Sequence, residues 1–66
     1  MTITYNGEKT ELADGTRLGD FLREKGYRPQ IIAVEINLAI VPKSDYETVV
    51  LKEGDTLEVV SFMGGG

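Results

Sequence analysis

An α+β fold, with one main helix packed across a mixed sheet of four or five strands, is predicted by three features of the sequence. The chain opens with two strand-like segments joined by Asn6-Gly7, a dipeptide that favours the tight type I′ turn of a hairpin. One stretch with helical spacing of its apolar residues follows. Short strand-like segments then return towards the end of the chain. This order is typical of the β-grasp, or ubiquitin-like, arrangement.

The N-terminal hairpin is predicted from the alternation of its side chains. Met1, Ile3 and Tyr5 alternate with threonines, which is the period-two pattern of a strand with one buried face. The segment 8–12 is polar up to its last residue, and we interpret it as the return strand. The turn at 14–15 then ends the hairpin, since aspartate and glycine are common turn residues.

The helix is predicted in the segment that follows the hairpin. Leu18, Phe21 and Leu22 fall at positions i, i+3 and i+4, which places them on one apolar face. We expect Thr16 to cap the N-terminus of this helix and Gly26 to follow its last residue, because these residue types favour those positions. A proline three residues after Gly26 prevents the helix from continuing.

The middle of the chain alternates between apolar runs and turns. The run 31–38 is nearly all apolar or β-branched, so we expect a central strand with much of both faces covered. The segment 40–42 is predicted to be a short edge strand, and 49–51 a brief strand. Between them, Ser44 and Glu47 have the Ser-x-x-Glu spacing of a capping box, which predicts a short helical turn.

The last strand is predicted over 56–63, after a turn at 52–55. Its alternation places Val60 and Phe62 on a face that we expect the helix to leave open. Exposed apolar side chains beside a chain end are typical of a docking patch, so we predict that Val60, Phe62 and Met63 bind a partner. The alternative is ordinary core or edge packing.

Composition limits the chemistry that the chain can perform. The 66 residues include no cysteine and no histidine, which excludes zinc and thiolate sites and the Ser-His and Cys-His nucleophiles. A net charge of −4 argues against electrostatic binding to nucleic acid. No signal peptide and no membrane-spanning run is recognisable, so we expect a cytoplasmic protein. We expect no enzyme activity, no bound metal and no bound cofactor.

The sequence ends on three glycines. Glycine has no Cβ, so a tail formed by Gly64, Gly65 and Gly66 can enter a narrow site in a partner at little steric cost. A terminal carboxylate is ionised at neutral pH and is a poor electrophile. A partner must therefore convert it into a mixed anhydride before a sulfur or nitrogen nucleophile attacks. We predict a β-grasp domain over 1–63 and a flexible tail over 64–66, with Gly66 as the reactive residue. The alternative is an idle, disordered end or a cloning remnant.

Several segments of the chain together resemble one known family. They are Asn6-Gly7 after the first strand, Leu18-x-x-Phe21-Leu22, Val34-Glu35-Ile36-Asn37 with Ile40-Val41-Pro42, Lys52-Glu53-Gly54-Asp55, and Phe62-Met63-Gly64-Gly65-Gly66. In order, spacing and total length they resemble the ThiS family, the sulfur carriers of thiamine biosynthesis. Leu38 departs from the family pattern, in which glycine or a polar residue more often follows the asparagine. This departure could alter a local turn.

The resemblance implies that the chain is a substrate of other proteins. An E1-like adenylating enzyme (ThiF) would use ATP and Mg²⁺ to adenylate the carboxylate of Gly66, with Gly64 and Gly65 as the access path. Sulfur from a donor such as a cysteine desulfurase would replace AMP and leave a thiocarboxylate on Gly66. Thiazole synthase (ThiG) would then take this sulfur into the thiazole ring.

Other functions remain open from the sequence. MoaD, the small subunit of molybdopterin synthase, shares the diglycine but is usually longer and tends to have prolines before it. Carriers for tRNA thiolation or for cysteine synthesis share the same chemistry. A different class is a ubiquitin-like interaction module that is never activated, or a modifier that is conjugated to lysine.

Overall fold

The computed structural model describes residues 1–62, and its secondary structure is a five-stranded sheet with one α-helix. The elements are β1 (Thr2–Tyr5), β2 (Glu8–Glu11), α1 (Leu18–Glu24), β3 (Ile32–Ile36), β4 (Ala39–Ile40) and β5 (Thr56–Ser61). Two short 3-10 helices, Pro29–Ile31 and Lys43–Asp45, flank the β3–β4 hairpin. Met63 and the predicted tail lie outside the described residues.

The sheet is mixed, with the strand order β2-β1-β5-β3-β4. Strand β5 lies at the centre, where it pairs in parallel with β1 and antiparallel with β3. The other two neighbouring pairs are antiparallel hairpins. The predicted mixed sheet with one helix across it is therefore confirmed. Because β5 is central, the end of the described chain leaves the sheet from its middle.

The core lies between α1 and one face of the sheet. Leu18, Phe21 and Leu22 are fully buried, which confirms the predicted apolar face of the helix. The sheet and the 46–51 loop supply the other core residues. These are Ile3, Ile32, Val34, Tyr46, Leu51, Leu57 and Val59. The strand predicted over 31–38 is shorter than expected, and only its helix-side residues are fully buried, because the other face of the sheet has no layer above it within residues 1–62.

The prediction that Thr16 caps the helix is wrong. Arg17 is the N-cap residue and makes no side-chain capping bond, while the Thr16 hydroxyl donates to the carbonyl of Ala13 at 2.7 Å. The first amides of the helix donate instead to the neighbouring loop, from Leu18 to the Val49 carbonyl at 2.9 Å and from Gly19 to that of Tyr46 at 2.8 Å. Tertiary hydrogen bonds thus satisfy donors that a side-chain cap would otherwise satisfy.

The predicted end of the helix is confirmed. Gly26 follows the C-cap residue Lys25 with a φ of +84°, which is the left-handed conformation that glycine favours. Its amide donates to the Arg23 carbonyl, and the amide of Tyr27 donates to the Leu22 carbonyl, each at 3.0 Å. These two bonds are the pattern of a Schellman motif, and they turn the chain towards β3.

The segment between β4 and β5 differs from the prediction. A short helical turn does form, but its N-cap is Pro42 without a side-chain bond, so the expected capping box is absent from this turn. The Glu47 carboxylate accepts from Arg23 at 2.7 Å and is therefore held by the helix. The strand expected over 49–51 is reduced to one isolated bridge between Arg17 and Val50.

The β3–β4 turn contains the departure noted in the sequence. Asn37 and Leu38 have φ values of 53° and 71°, much like Asn6 and Gly7 in the first hairpin, at 46° and 87°. The amide side chain of Asn37 holds the turn, because it donates to Asp55 at 3.0 Å and accepts from the amide of Thr56 at 2.9 Å. Leu38 is 89% exposed, so it gains little from packing. A left-handed conformation costs about 1–2 kcal/mol for a residue with a Cβ.

Leu38→Gly is expected to raise the free energy of unfolding by roughly 0.5–1 kcal/mol. Glycine removes the left-handed strain, and its greater freedom in the unfolded chain offsets part of the gain. Urea unfolding measures the change, and the reverse substitution Gly7→Leu in the first hairpin is the matched control, which should lower stability. A loss of stability in Leu38→Gly would mean that the Leu38 side chain makes a net favourable contact.

Candidate functional site

The sheet face opposite α1 is open within the described chain, and β5 carries two exposed apolar side chains to its end. Leu57 and Val59 point to the core and are 0% and 6% exposed, whereas Val60 is 56% and Phe62 is 65% exposed. The amide of Phe62 donates to the Ile31 carbonyl at 2.7 Å, which extends the β3–β5 register by one step. Alternation therefore places Phe62 on the same side as Val60. The exposure of both residues argues against core packing and leaves packing at the edge as the alternative to a docking role.

The strand register shows what surrounds these two residues. Ala33 lies directly opposite Val60, and Glu35 lies opposite both Glu58 on β5 and Ile40 on β4. Residues directly opposite each other share a face of the sheet. We call this surface the open-face patch, and its residues are Ala33, Glu35, Ile40, Glu58, Val60 and Phe62. Ile40 is 75% exposed, so the patch combines apolar side chains with two carboxylates.

The alternation of the last strand also places Glu58 on this face, whereas sequence reasoning missed Ala33, Glu35 and Ile40 as members of this surface. Alternation with the buried Val34 is a signal that places Glu35 on the open face, but it does not reveal which residues lie beside it. That information comes from the β3–β5 and β3–β4 registers, which depend on long-range pairing. Among the predicted partner-binding residues, Met63 lies outside the described residues.

The predicted reactive segment also lies outside the described residues. Gly64, Gly65 and Gly66 follow Phe62 after a single residue, so the open-face patch ends four positions before Gly66 in the sequence. Their roles stay predictions. The described chain therefore shows only the surface from which this segment leaves.

The helix side of the sheet contains the tyrosine whose pKa is shifted most. Burial, aided by a hydrogen bond between the Tyr5 and Tyr27 hydroxyls, raises the pKa of Tyr5 to about 12. The Tyr5 ring packs edge-on against Phe21, with 5.0 Å between the ring centroids. Tyr5 therefore remains protonated near neutral pH and contributes to the packing of helix on sheet.

Residues 1–62 contain no surface cavity and no cluster of three or more acidic residues arranged to hold a metal ion. Within the same range, no helix is long and apolar enough to cross a membrane. The open-face patch is thus a flat surface rather than a pocket. Flat surfaces with exposed apolar side chains are typical of protein contacts.

Comparison with known sequences gives the chain two kinds of relatives. Thiazole synthases of Magnetococcus marinus and Paramagnetospirillum magneticum are 46% and 42% identical over all 66 residues. The chain spans only about a fifth, 20%, of the length of each of these proteins. An uncharacterised protein, ycf40, from Porphyra purpurea is 26% identical, and the match covers the whole chain and 93% of that protein.

Solved structures and a family model agree on the relationship. The crystal structure of the thiamine biosynthesis protein ThiS from Geobacter metallireducens matches over the full length of both chains, with a TM-score of 0.83 and 28% identity. A solution structure of a thiamine biosynthesis protein from the same organism has a TM-score of 0.81 and 26% identity over this whole chain and 88% of its own. The model of the ThiS family matches residues 3–66. Since the family pattern extends over residues 3–66 and both solved structures share the β-grasp fold, the chain belongs to the ThiS family.

Proposed function

We propose that this chain is a sulfur carrier of thiamine biosynthesis, and that the carboxylate of Gly66 is the group that carries the sulfur. The observation that supports this proposal most strongly is the match of the ThiS family model to residues 3–66, which includes the three glycines. The thiazole synthases that are 46% and 42% identical to the chain support thiazole formation as the step that uses the sulfur.

In the proposed chemistry the chain supplies the reacting carboxylate, and its partners supply the activation, the sulfur and the acceptor. A ThiF-type adenylating enzyme binds ATP and Mg²⁺ and transfers AMP to the Gly66 carboxylate, with release of pyrophosphate. The terminal sulfur of a persulfide, supplied through a donor such as a cysteine desulfurase, then attacks the activated carbonyl and displaces AMP. A thiol reductant cleaves the resulting S–S bond, so that the thiol supplies the two electrons and the thiocarboxylate is released. One oxygen of the carboxylate is thereby replaced by sulfur. A ThiG-type thiazole synthase accepts this sulfur.

The open-face patch lies next to the segment that leads to Gly66, which is where a partner that modifies Gly66 would need to bind. Strand β5 runs through the patch and ends at Ser61, so the segment with Met63 and the glycines begins where the patch ends. A partner that docks on Val60 and Phe62 thus holds the body of the carrier next to its own active site. Gly64 and Gly65 then offer no side chain that would obstruct entry of Gly66.

Intact-mass measurement tests the proposed function directly. The purified chain is incubated with the ThiF-type enzyme from the same organism, MgATP, a cysteine desulfurase, cysteine and a thiol reductant. We expect a product heavier by about 16 Da, the difference between sulfur and oxygen, because the thiocarboxylate is a covalent product that survives isolation. Omission of ATP is the control and should leave the mass unchanged. An unmodified chain under full conditions, or chains linked to lysine residues, would contradict the proposal.

A further inference from the structure

Two glutamates face each other on the open side of the sheet. Glu35 on β3 and Glu58 on β5 are direct cross-strand partners, and like charges in such pairs are destabilising. Glu58 is exposed and Glu35 is half-buried. Within residues 1–62, neither carboxylate forms a hydrogen bond or an ion pair. Other acidic groups are engaged, such as Glu47 with Arg23 at 2.7 Å and Glu53 with the amide of Thr2 at 2.9 Å.

No cation of the described sheet is placed to neutralise this pair. On the same face, Lys9 lies on β2 beside Thr4, and β1 separates it from the central strand β5. The ammonium group of Lys43 donates to the Ile32 carbonyl at 3.0 Å and is therefore engaged elsewhere. The pair thus forms a local centre of negative charge on the middle strands.

Apolar side chains flank the two carboxylates on both sides. Ile40 lies opposite Glu35 on β4, and Val60 follows Glu58 on the same face of β5; they are 75% and 56% exposed. A purely apolar partner would cover these side chains but bury the glutamates without a counter-charge, which is unfavourable. A purely cationic partner would leave the apolar side chains without contacts. An anionic surface, such as nucleic acid or an acidic membrane, would be repelled.

We propose that the open-face patch binds a protein surface in which a lysine or arginine is placed against Glu35 and Glu58 between apolar side chains. This inference rests on the proposed function and deepens it, because it assigns that surface to the adenylating enzyme. The repulsion between the glutamates in the free carrier is relieved when the cation of the enzyme lies between them. The pair therefore weakens the isolated fold and strengthens the complex.

The inference is tested by measuring stability and binding separately, because removal of either glutamate should change them in opposite directions. The probe is the ThiF-type enzyme with MgATP, and its dissociation constant for each variant is measured by calorimetry at low and high salt. Glu35→Gln and Glu58→Gln should each weaken binding by about threefold to tenfold, with a smaller salt dependence than the parent chain. Their melting temperatures should be equal to or higher than that of the parent. Glu24→Gln is the matched control, because it removes the same charge from an exposed site on α1 and should leave binding unchanged.

Reversal of the charge at Glu58 gives a larger expected difference between the effect on stability and the effect on binding. In Glu58→Lys the new ammonium group faces Glu35, so the isolated protein should melt at a higher temperature. The same group repels the cation of the enzyme, so binding should weaken by more than about tenfold. A merely structural role for the glutamates predicts that stability and binding change in the same direction.

The outcomes separate this inference from the proposed function. Parent-like binding by the Glu35 and Glu58 variants, together with a loss in Phe62→Ser, would overturn the charge assignment and leave the carrier function standing. An equal loss in Glu24→Gln would also overturn it, since any negative charge would then suffice. Failure of the parent chain to bind the enzyme, with no change of its mass, would instead contradict the proposed function itself.

Discussion

Deletion of Gly65 and Gly66 is expected to abolish adenylation by the ThiF-type enzyme and to leave the melting temperature nearly unchanged. The described core is built from residues between Ile3 and Val59, so the deletion removes no side chain from it. A carboxylate remains at the new end, on Gly64, but an extended chain loses about 7 Å of reach with two residues. A misplacement of about 1 Å can cost about 100-fold in rate, so this carboxylate would not react.

Two further variants distinguish the length of the tail from the steric access of Gly66 to the active site of the enzyme. Replacement of both residues by alanine keeps the length of the tail and adds two methyl groups, so adenylation should be slowed rather than abolished if the entry path is narrow. Addition of one alanine after Gly66 moves the carboxylate beyond the reacting position and should also prevent adenylation. ATP–pyrophosphate exchange measures all three proteins. Exchange at the parent rate by the truncated protein would show that Gly66 is not the reacting residue.

The sequence predicted which side of β5 is exposed, but it did not predict which residues of the neighbouring strands lie beside it. The alternation of side chains along β5 can be recognised in the sequence, which is why Val60 and Phe62 were correctly placed on the exposed side. The neighbours of these residues depend on which strands pair and in which register. Sequence reasoning on one chain has no access to the β3–β5 pairing that joins Glu35 and Glu58. Part of the docking surface was therefore predictable, and its charge centre was not.

The ends of the helices also show that local requirements can be predicted from the sequence, whereas tertiary contacts cannot. The glycine after α1 was predicted correctly, because the positive φ of Gly26 is a local requirement that few other residues meet. Thr16 and Ser44 were predicted as caps from their type, but the structure uses other contacts. Loop carbonyls accept the first amides of α1, and the Glu47 carboxylate accepts a hydrogen bond from Arg23. Leu38 shows the reverse case, in which the turn geometry is kept although the residue is unfavourable for it.

Phe62→Ser is expected to weaken binding to the adenylating enzyme by about 30-fold, because truncation of a large aromatic side chain that an interface buries costs about 2 kcal/mol. Its side chain is 65% exposed in the free chain, so the same change should alter the free energy of unfolding by only about 0.5 kcal/mol. Calorimetry with the enzyme and urea unfolding of the carrier measure the two quantities separately. Val50→Ser is the matched control, since Val50 is a second exposed apolar residue, 43% accessible, that lies outside the open-face patch.

The two phenylalanines of the chain make the distinction between docking and packing explicit. Phe21 is 1% exposed in the core, and Phe21→Ala should cost about 3–5 kcal/mol of stability, which is much of what so small a domain possesses. Binding by that variant would fall only because less of it is folded. If Phe62→Ser lowers stability to a similar extent, Phe62 is a packing residue and the docking role is wrong. If Phe62→Ser stays folded and binds like the parent, the enzyme docks elsewhere. Loss of affinity in a fully folded Phe62→Ser variant is the result that only a docking surface beside the chain end predicts.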